Sequence, residues 1–326
     1  MGKEKIEYDI VIRTLGKGGE KYTALLNSIK ALEPQPNNIW VILPEGYEKP
    51  SERIGTEKFY YSKKGMIDQR LATLECCDSP YALFCDDDIQ FESDFVTKLH
   101  SAITEQGYSI ATGEVLAFLP PSKGLKKILP IIHSAAAPTL FHKDRYVTIL
   151  KSSGWTYNRF KPKKGWSIPT QSAAGCMFYS SIDTFREIHF EDELWAQHEG
   201  LAPADDQIMF YKAHLLGLSV CVVTDAHYDH LSAKSATSSK SAVEKKEYWS
   251  AFNRAVFWRR FILRFQRGFI SRTLTRIAFG YYVVINSIHL LLRSILKKGR
   301  NRPFVFQRAI RDGLAFEKNA DLKKVF

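Results

Sequence analysis

Three consecutive carboxylates, Asp86, Asp87 and Asp88, follow directly on the apolar run Tyr81–Cys85 (YALFC). Adjacent like charges repel, so a fold gains little by placing them together. A divalent oxygen-seeking cation removes that repulsion. Mg²⁺ or Mn²⁺ binds through one or two carboxylates and completes its shell with phosphate oxygens and water. The competing reading is an acidic turn in which Asp88 helps to cap a helix beginning near Glu92. The abrupt change from buried-strand pattern to triple acid favours the metal. A second pair, Asp205 and Asp206, opens a helical pattern carried by Ile208, Met209, Leu215 and Leu216. Taken alone, acids in a first turn are what the helix dipole favours. A third group, Asp225-Ala226-His227-Tyr228-Asp229-His230, follows the apolar stretch Ser219–Val223. Two histidines and two aspartates beyond a strand end suit a metal or phosphate site, with His227 and His230 both open as the ligand.

The elements that must position these groups are read in order. Asp9–Thr14 (DIVIRT) is a first strand, and Gly16, Gly18 and Gly19 make a loose turn. Tyr22–Leu32 has apolar residues at helical spacing and stops at Pro34. Ile39–Leu43 is a second strand ending in Pro44-Glu45-Gly46. Lys58–Tyr61 is a third, and Gly65 opens a helix running to about Cys77. A helix from about Ser93 to Glu105 follows the acids. This βαβ order predicts an α/β fold with a mostly parallel sheet flanked by helices. Ligands of such sheets gather at the carboxyl ends of strands, where Thr14, Glu45 and Asp86–Asp88 all lie. Pro120–Lys127 reads as a loop. Ser152–Pro169 reads as a second one, holding Trp155, Tyr157 and Trp166, as a binding loop or as packing anchors. Ala173–Ser180 (AAGCMFYS) reads as a strand entered through Gly175. No HExxH, Walker A or GxGxxG pattern occurs.

The chain has 326 residues, 45% of them hydrophobic, enough for a large core without staples. Its five cysteines match no zinc spacing and no disulfide framework, which predicts buried thiols in a reducing compartment. The start MGKEKIEYD is charged, with neither a signal-peptide core nor a myristoylation pattern. The net charge of +11 is lopsided. Residues 234–326 carry 21 Lys and Arg against 5 Asp and Glu; the rest carry 25 against 30. An acidic body with a basic tail predicts a tail that meets anions.

These parts, in this order, resemble the family 2 glycosyltransferases with the GT-A fold, over about Tyr8 to Leu231. The strand DIVIRT resembles the family's first strand. GMIDQRLATLECCDSPYALFCDDD is similar to its Gly…Arg helix, apolar strand and DXD motif, AAGCMFYS to the strand before its acceptor site, and ADDQIMFYKAHLLGL to its acidic-pair helix. The resemblance implies an inverting, metal-dependent transfer of a sugar from a nucleotide diphosphate, UDP favoured, to a glycan or lipid-linked hydroxyl. It implies Asp206 as base with Asp205 beside it, Asp88 as ligand of Mn²⁺ or Mg²⁺, and His230 as a further ligand, His227 being second best. Asp86 or Asp87 would meet the nucleoside. Arg13, Thr14, Glu45 and Arg70 would line the nucleotide pocket, with Gly175 and Trp166 on the acceptor side. The chain departs from the family in Pro44-Glu45, where many members have an aspartate pair. It also has Asp-Asp for the usual Glu-Asp, and it lacks a QxxRW, which favours transfer of a single sugar. The rivals are a GT-A-like nucleotidyltransferase, echoed by Gly16-Lys17-Gly18-Gly19, and a catalytically silent scaffold.

The expected division is a catalytic domain over 1–232 and a helical, membrane-associating tail over 233–326. In the tail, Phe257, Trp258, Phe261, Ile262, Phe265 and Phe269 fall on one helical arc and Arg259, Arg260, Arg264 and Arg267 on the opposite one. That pattern predicts an interfacial helix on anionic lipid. The uncharged run Ile277–Leu292 is short of the ~20 residues of a span, which predicts a monotopic anchor or re-entrant dip rather than a single span. The competing reading is a helical appendage packed on protein. So regular an aromatic face excludes a nucleic-acid arm. With the resemblance, the tail places the chain at the cytoplasmic face of a membrane, in envelope polysaccharide or lipopolysaccharide assembly.

Overall fold

A computed structural model of the chain describes residues 5–114, 132, 145–158, 166–231, 240–296 and 302–325. The expected loop Pro120–Lys127 lies outside these residues. The chain divides into two units. The first comprises Met1–Leu119, Lys161–Leu201 and Asp205–Ala236, and the second Pro120–Phe160, Ala202–Ala204 and Thr237–Phe326.

The first unit is built on nine strands: β1 Tyr8–Arg13, β2 Asn38–Pro44, β3 Glu57–Ser62, β4 Tyr81–Asp86, β5 Ile89–Phe91, β6 Ile110–Glu114, β9 Ser167–Pro169, β10 Met177–Ser181 and β11 Val220–His230. They lie in the order β3-β2-β1-β4-β10-β6-β11-β5, with β9 beside β11. The β3-β2-β1-β4 half is parallel throughout, as is β6 with β11, whereas β10 runs antiparallel between β4 and β6. From β1 the chain steps outward through β2 to β3, then returns to the other side of β1 as β4. That reversal leaves a crevice at the carboxyl ends of β1 and β4, and Arg13 and Asp86 are register partners there.

Sequence accounts for these strands directly. β1 and β4 are covered on both faces and carry the near-continuous apolar runs that such strands require. The exception, Asp9, is fully buried, and its carboxylate accepts from Asn38 Nδ2 (2.9 Å), Ser79 Oγ (2.7 Å) and the Asp78 amide (3.0 Å). A buried charge needs such partners, and here they tie β1 to β2 and to the approach to β4. Phe84 stacks on Phe178 of β10 with ring centroids 4.2 Å apart, and each buried Phe contributes about 2 kcal/mol. Gly16, at φ 75°, turns the chain after β1; a Cβ there would stand 2.0 Å from the Glu48 carbonyl oxygen.

Four expectations are corrected. Ile89–Phe91 is a short strand, so the acids lie in a tight turn between strands and no helix starts at Glu92; that helix runs Phe95–Thr104 after Asp94. Asp225–His230 does not lie beyond a strand but continues β11, with Ala226 and Tyr228 inward and a register shift between Val223 and His227. The Gly65–Cys77 helix is two pieces, Met66–Leu71 and Thr73–Cys76. The stretch Ser152–Pro169 is not all loop, since β8 (Thr156–Asn158) and β9 lie within it. All five cysteines are free and four are buried.

The second unit holds the hairpin of β7 (Val147–Ile149) with β8, and the helices Lys240–Phe257, Phe269–Leu296 and Arg302–Asn319. A π-helical turn, Trp258–Leu263, extends the first helix. The first four residues of the arc expected to face lipid are core of this unit instead, while Phe269 is 81% exposed. Phe257, Trp258, Phe261 and Ile262 are buried, and Trp258 stacks on Phe279 at 3.9 Å. Arg260, expected on the polar face, is fully buried and donates to the Lys323 carbonyl (2.7 Å). Buried Glu317 pairs with Arg259 (2.5 Å) and Arg264 (2.6 Å). Over 257–262 the packed appendage is therefore the arrangement found.

Candidate active site

The crevice at the ends of β1 and β4 collects charges from four separate stretches of chain. Arg13, last in β1, donates through Nε and Nη2 to one Asp86 oxygen (2.9 and 2.6 Å), and through Nη1 to the Met66 carbonyl (2.9 Å). The same Nη1 stands 3.6 Å from Asp205. Arg70, on the Met66–Leu71 helix, donates to Asp205 Oδ2 (2.8 Å) and to the Gly175 carbonyl (3.0 Å). Arg13, Asp86, Arg70 and Gly175 line one pocket. Two guanidiniums thus interleave with two carboxylates, one from each acid cluster.

The remaining acids are placed by neutral donors. Thr14 Oγ1 donates to Asp87 (2.6 Å) and accepts from the Gly16 amide (3.0 Å), so the turn after β1 sets the Asp87 carboxylate. Asp206 lies at the first turn of the helix Asp205–Leu215. Its Oδ2 accepts from the Gly175 amide (3.2 Å) and its Oδ1 from the Gln207 amide (2.7 Å). Asp88 Oδ1 faces His230 Nε2 at 3.4 Å, and the Leu231 amide donates to the Asp88 carbonyl (2.7 Å). His227 Nδ1 stands 3.8 Å from Glu114. Of the two histidines left open by the sequence, His230 is the one beside the acid turn.

Burial drives the titration of these groups. It raises the Asp86 carboxyl, against the pull of Arg13 and Arg70. It raises Asp87, with the charges of Asp88 and Asp86 adding to it and the Thr14 hydroxyl opposing. Burial would lower the Arg13 guanidinium, but Asp86 and Asp205 outweigh it and the net direction is up. Arg70 goes down, first from burial and then from the charge of Arg13. Asp206 is pushed up to about 6, by burial first and then by the adjacent Asp205 charge. That value lies near neutrality, where a general base works best.

Gly175 is fixed by approach. A Cβ on it would lie 2.4 Å from Asp206 Cβ and 3.3 Å from Arg70 Nη2. Overpacking of this kind costs about 1–3 kcal/mol. Gly175→Ala is therefore expected to lower the thermal midpoint and to displace Asp206; a variant that melts with the wild type would show the strand relaxing without strain.

Glu45 and Trp166 do not join this cluster among the described residues. The Glu45 side chain is exposed just past β2. Trp166 is 60% exposed at the start of β9, held through its backbone to Thr224. Sequence reasoning missed Gln69, Gln197 and Glu114. Gln69 is buried and donates to the Thr14 and Ile42 carbonyls (2.9 and 3.1 Å), locking the ends of β1 and β2. Gln197 accepts from the Ile67 amide (2.9 Å) at the start of the Arg70 helix. A buried glutamate ending β6, Glu114 leaves a signal in its position alone.

No family model matches the chain, and no curated protein matches it in sequence. Solved structures do resemble it. The crystal structure of S. aureus TarS 1-349 in complex with UDP-GlcNAc is 12% identical, with a TM-score of 0.51 over 94% of this chain and 80% of that one. GalNAc-T7 with UDP, GalNAc and Mn²⁺ is also 12% identical, at a TM-score of 0.49 over 91% of this chain and 58% of that one. The first likeness shows the fold: the chain has the GT-A-like α/β architecture expected from its motifs.

Proposed function

We propose that the chain is a nucleotide-sugar glycosyltransferase of the family 2 type, moving one sugar to a hydroxyl of a glycan or lipid-linked acceptor with inversion. The observation that carries this reading is the convergence of Asp86–Asp88 with Asp205–Asp206 at the switch point of the sheet, bridged by Arg13 and Arg70. The GT-A-like fold of the TarS structure, which holds UDP-GlcNAc, supports it and favours UDP as the nucleotide. Cytoplasmic work at a membrane, on an envelope polysaccharide or lipopolysaccharide, is the context that the basic second unit supports.

Asp206 is the base. Its carboxylate is oriented by two amides and, among the described residues, stands in no ion pair, so an acceptor hydroxyl can give it a proton. Asp205 is unsuited, because Arg70 and Arg13 share its charge. Inversion needs one displacement and one base. Arg70 donates to both Asp205 and the Gly175 carbonyl, so it supports the base helix and the Gly175 strand together. Asp87 and Thr14 would lie on the nucleoside side and Gly175 on the acceptor side.

Asp88 and His230 fit an Mn²⁺ or Mg²⁺ ion: one carboxylate and one imidazole, 3.4 Å apart, at the lip of the crevice. No set of three or more ligating side chains occurs among the described residues. Two protein donors leave the other positions to diphosphate and water, as such ions prefer. When bound, the ion would neutralise the leaving diphosphate.

The test is thermal unfolding with UDP, GDP, CDP or dTDP, each with and without Mn²⁺. A ligand bound only by the folded state raises the midpoint. UDP with Mn²⁺ is expected to raise it by several degrees, an effect lost on adding EDTA and in Asp88→Ala. No shift with any nucleotide on folded protein would remove the donor reading.

A further inference from the structure

The helix Phe269–Leu296 has two opposite faces, and only one is accounted for. Thr275, Phe279, Tyr282 and Asn286 are buried within the second unit, where Phe279 meets Trp258 and the Tyr282 hydroxyl accepts from Trp155 Nε1 (2.9 Å). The other face repeats at steps of three and four residues. Ile270, Leu274, Ile277, Val284, Ile288 and Ile295 stand along it, each 48 to 74% exposed. Tyr281 continues the row, and its hydroxyl donates to the carbonyl of Ile132, another exposed apolar residue. At 1.5 Å per residue the row runs ~38 Å, far beyond the scattered apolar exposure of an ordinary surface.

Charge identifies the occupant. The helix has no Asp or Glu, and its charged residues, Arg272, Arg276 and Arg293, are all basic and all exposed. Two copies meeting along this row would bring two strongly basic segments together, each with 21 Lys and Arg against 5 Asp and Glu over 234–326. An anionic lipid surface takes the apolar row into its headgroup boundary and attracts that basic excess. By length and composition the helix could cross a bilayer. A crossing helix takes its packing partners with it, however, and the partner Arg302–Asn319 carries Arg302, Arg308, Arg311, Asp312, Glu317 and Lys318, charges that a bilayer core does not accept. The helix therefore lies in the plane of the interface.

We propose that Phe269–Leu296 docks the protein flat on an anionic membrane, its exposed apolar row inserted and the basic excess of residues 234–326 drawn to the headgroups. This keeps the membrane contact expected over Ile277–Leu292 and removes the buried Phe257–Ile262 arc from it. It stands apart from the sugar-transfer reading, and its test involves no donor or acceptor.

The test is co-sedimentation of the full chain with vesicles of phosphatidylcholine alone or mixed with phosphatidylglycerol. The wild type is expected to sediment with the mixed vesicles, less so at high salt, and to stay in solution with phosphatidylcholine alone. Ile277→Asp/Val284→Asp/Ile288→Asp is expected to lose more than about tenfold in vesicle partition. Arg272→Glu/Arg276→Glu is expected to lose severalfold and its salt dependence. Circular dichroism checks folding; should the triple variant not fold, the arginine variant and the salt series decide. Four results would overturn the proposal: a wild type that ignores anionic vesicles, a folded triple variant that sediments like it, a wild-type dimer that the triple variant disperses, or membrane-bound protein that resists alkaline carbonate extraction as a spanning helix does.

Discussion

Asp206→Asn abolishes sugar transfer and makes the protein more stable at neutral pH. The rate should fall by about 10²–10⁴-fold, the usual contribution of a general base, with nucleotide-dependent thermal shifts retained. The stability gain follows from linkage. Folding raises the Asp206 carboxyl from its ordinary 3.8 to about 6, so the folded state binds the proton more tightly. That contribution is fully present below pH 4 and is lost as the pH rises through 6. At pH 7.5 the ionised side chain opposes folding by on the order of 2–3 kcal/mol. Asparagine removes the charge but offers one acceptor where two amides, Gly175 and Gln207, donate. That mismatch returns about 1–2 kcal/mol, and a net gain of about 1 kcal/mol remains. The gain should shrink towards pH 4. In the wild type, kcat/KM should rise with pH to a plateau through an apparent pKa near 6. A variant that keeps its rate, or one destabilised at pH 7.5, would remove Asp206 from the base role.

Arg70→Met is expected to cost about 3–5 kcal/mol, the range seen when one partner of a buried pair is removed. Both Arg70 and Asp205 are about nine-tenths buried or more, and the loss strands the Asp205 carboxylate and the Gly175 carbonyl together. Arg13, 3.6 Å from Asp205, is too far to replace a 2.8 Å hydrogen bond. Urea unfolding of the cycle Arg70→Met, Asp205→Asn and the double variant separates the causes. If stranded charge dominates, the double variant recovers more than about 1 kcal/mol relative to the sum of the singles. Strict additivity would mean that Arg70 acts through packing alone.

Local pattern carried much of the first unit. The runs DIVIRT, IWVIL and YALFC, the helix at Asp205 and the turn of acids are all where their periodicities put them. What periodicity does not encode is partnership. Arg70 finds Asp205 across 135 positions, and no spacing rule joins them. The second half of β11 alternates Ala226 and Tyr228 with His227 and Asp229, a period of two that polar residues disguise as a loop. The tail shows the converse. An aromatic arc opposite an arginine arc has the same period whether the aromatics meet lipid or protein. Arg260 is buried because a carbonyl 63 residues away accepts from it, and nothing near position 260 announces that.

The acid turn is tethered at both ends. Asp86 still belongs to the β1–β4 ladder, and Ile89 begins the pairing of β5 with β11, where it is the register partner of His230. Only Asp87 and Asp88 lie outside the ladders, and Thr14 and the Leu231 amide hold those two. Little backbone freedom is left to lose when a ligand arrives. Discrimination between nucleotides, or between one cation and another, then falls to charge and fit at a preorganised cradle, and calorimetry should find it in enthalpy.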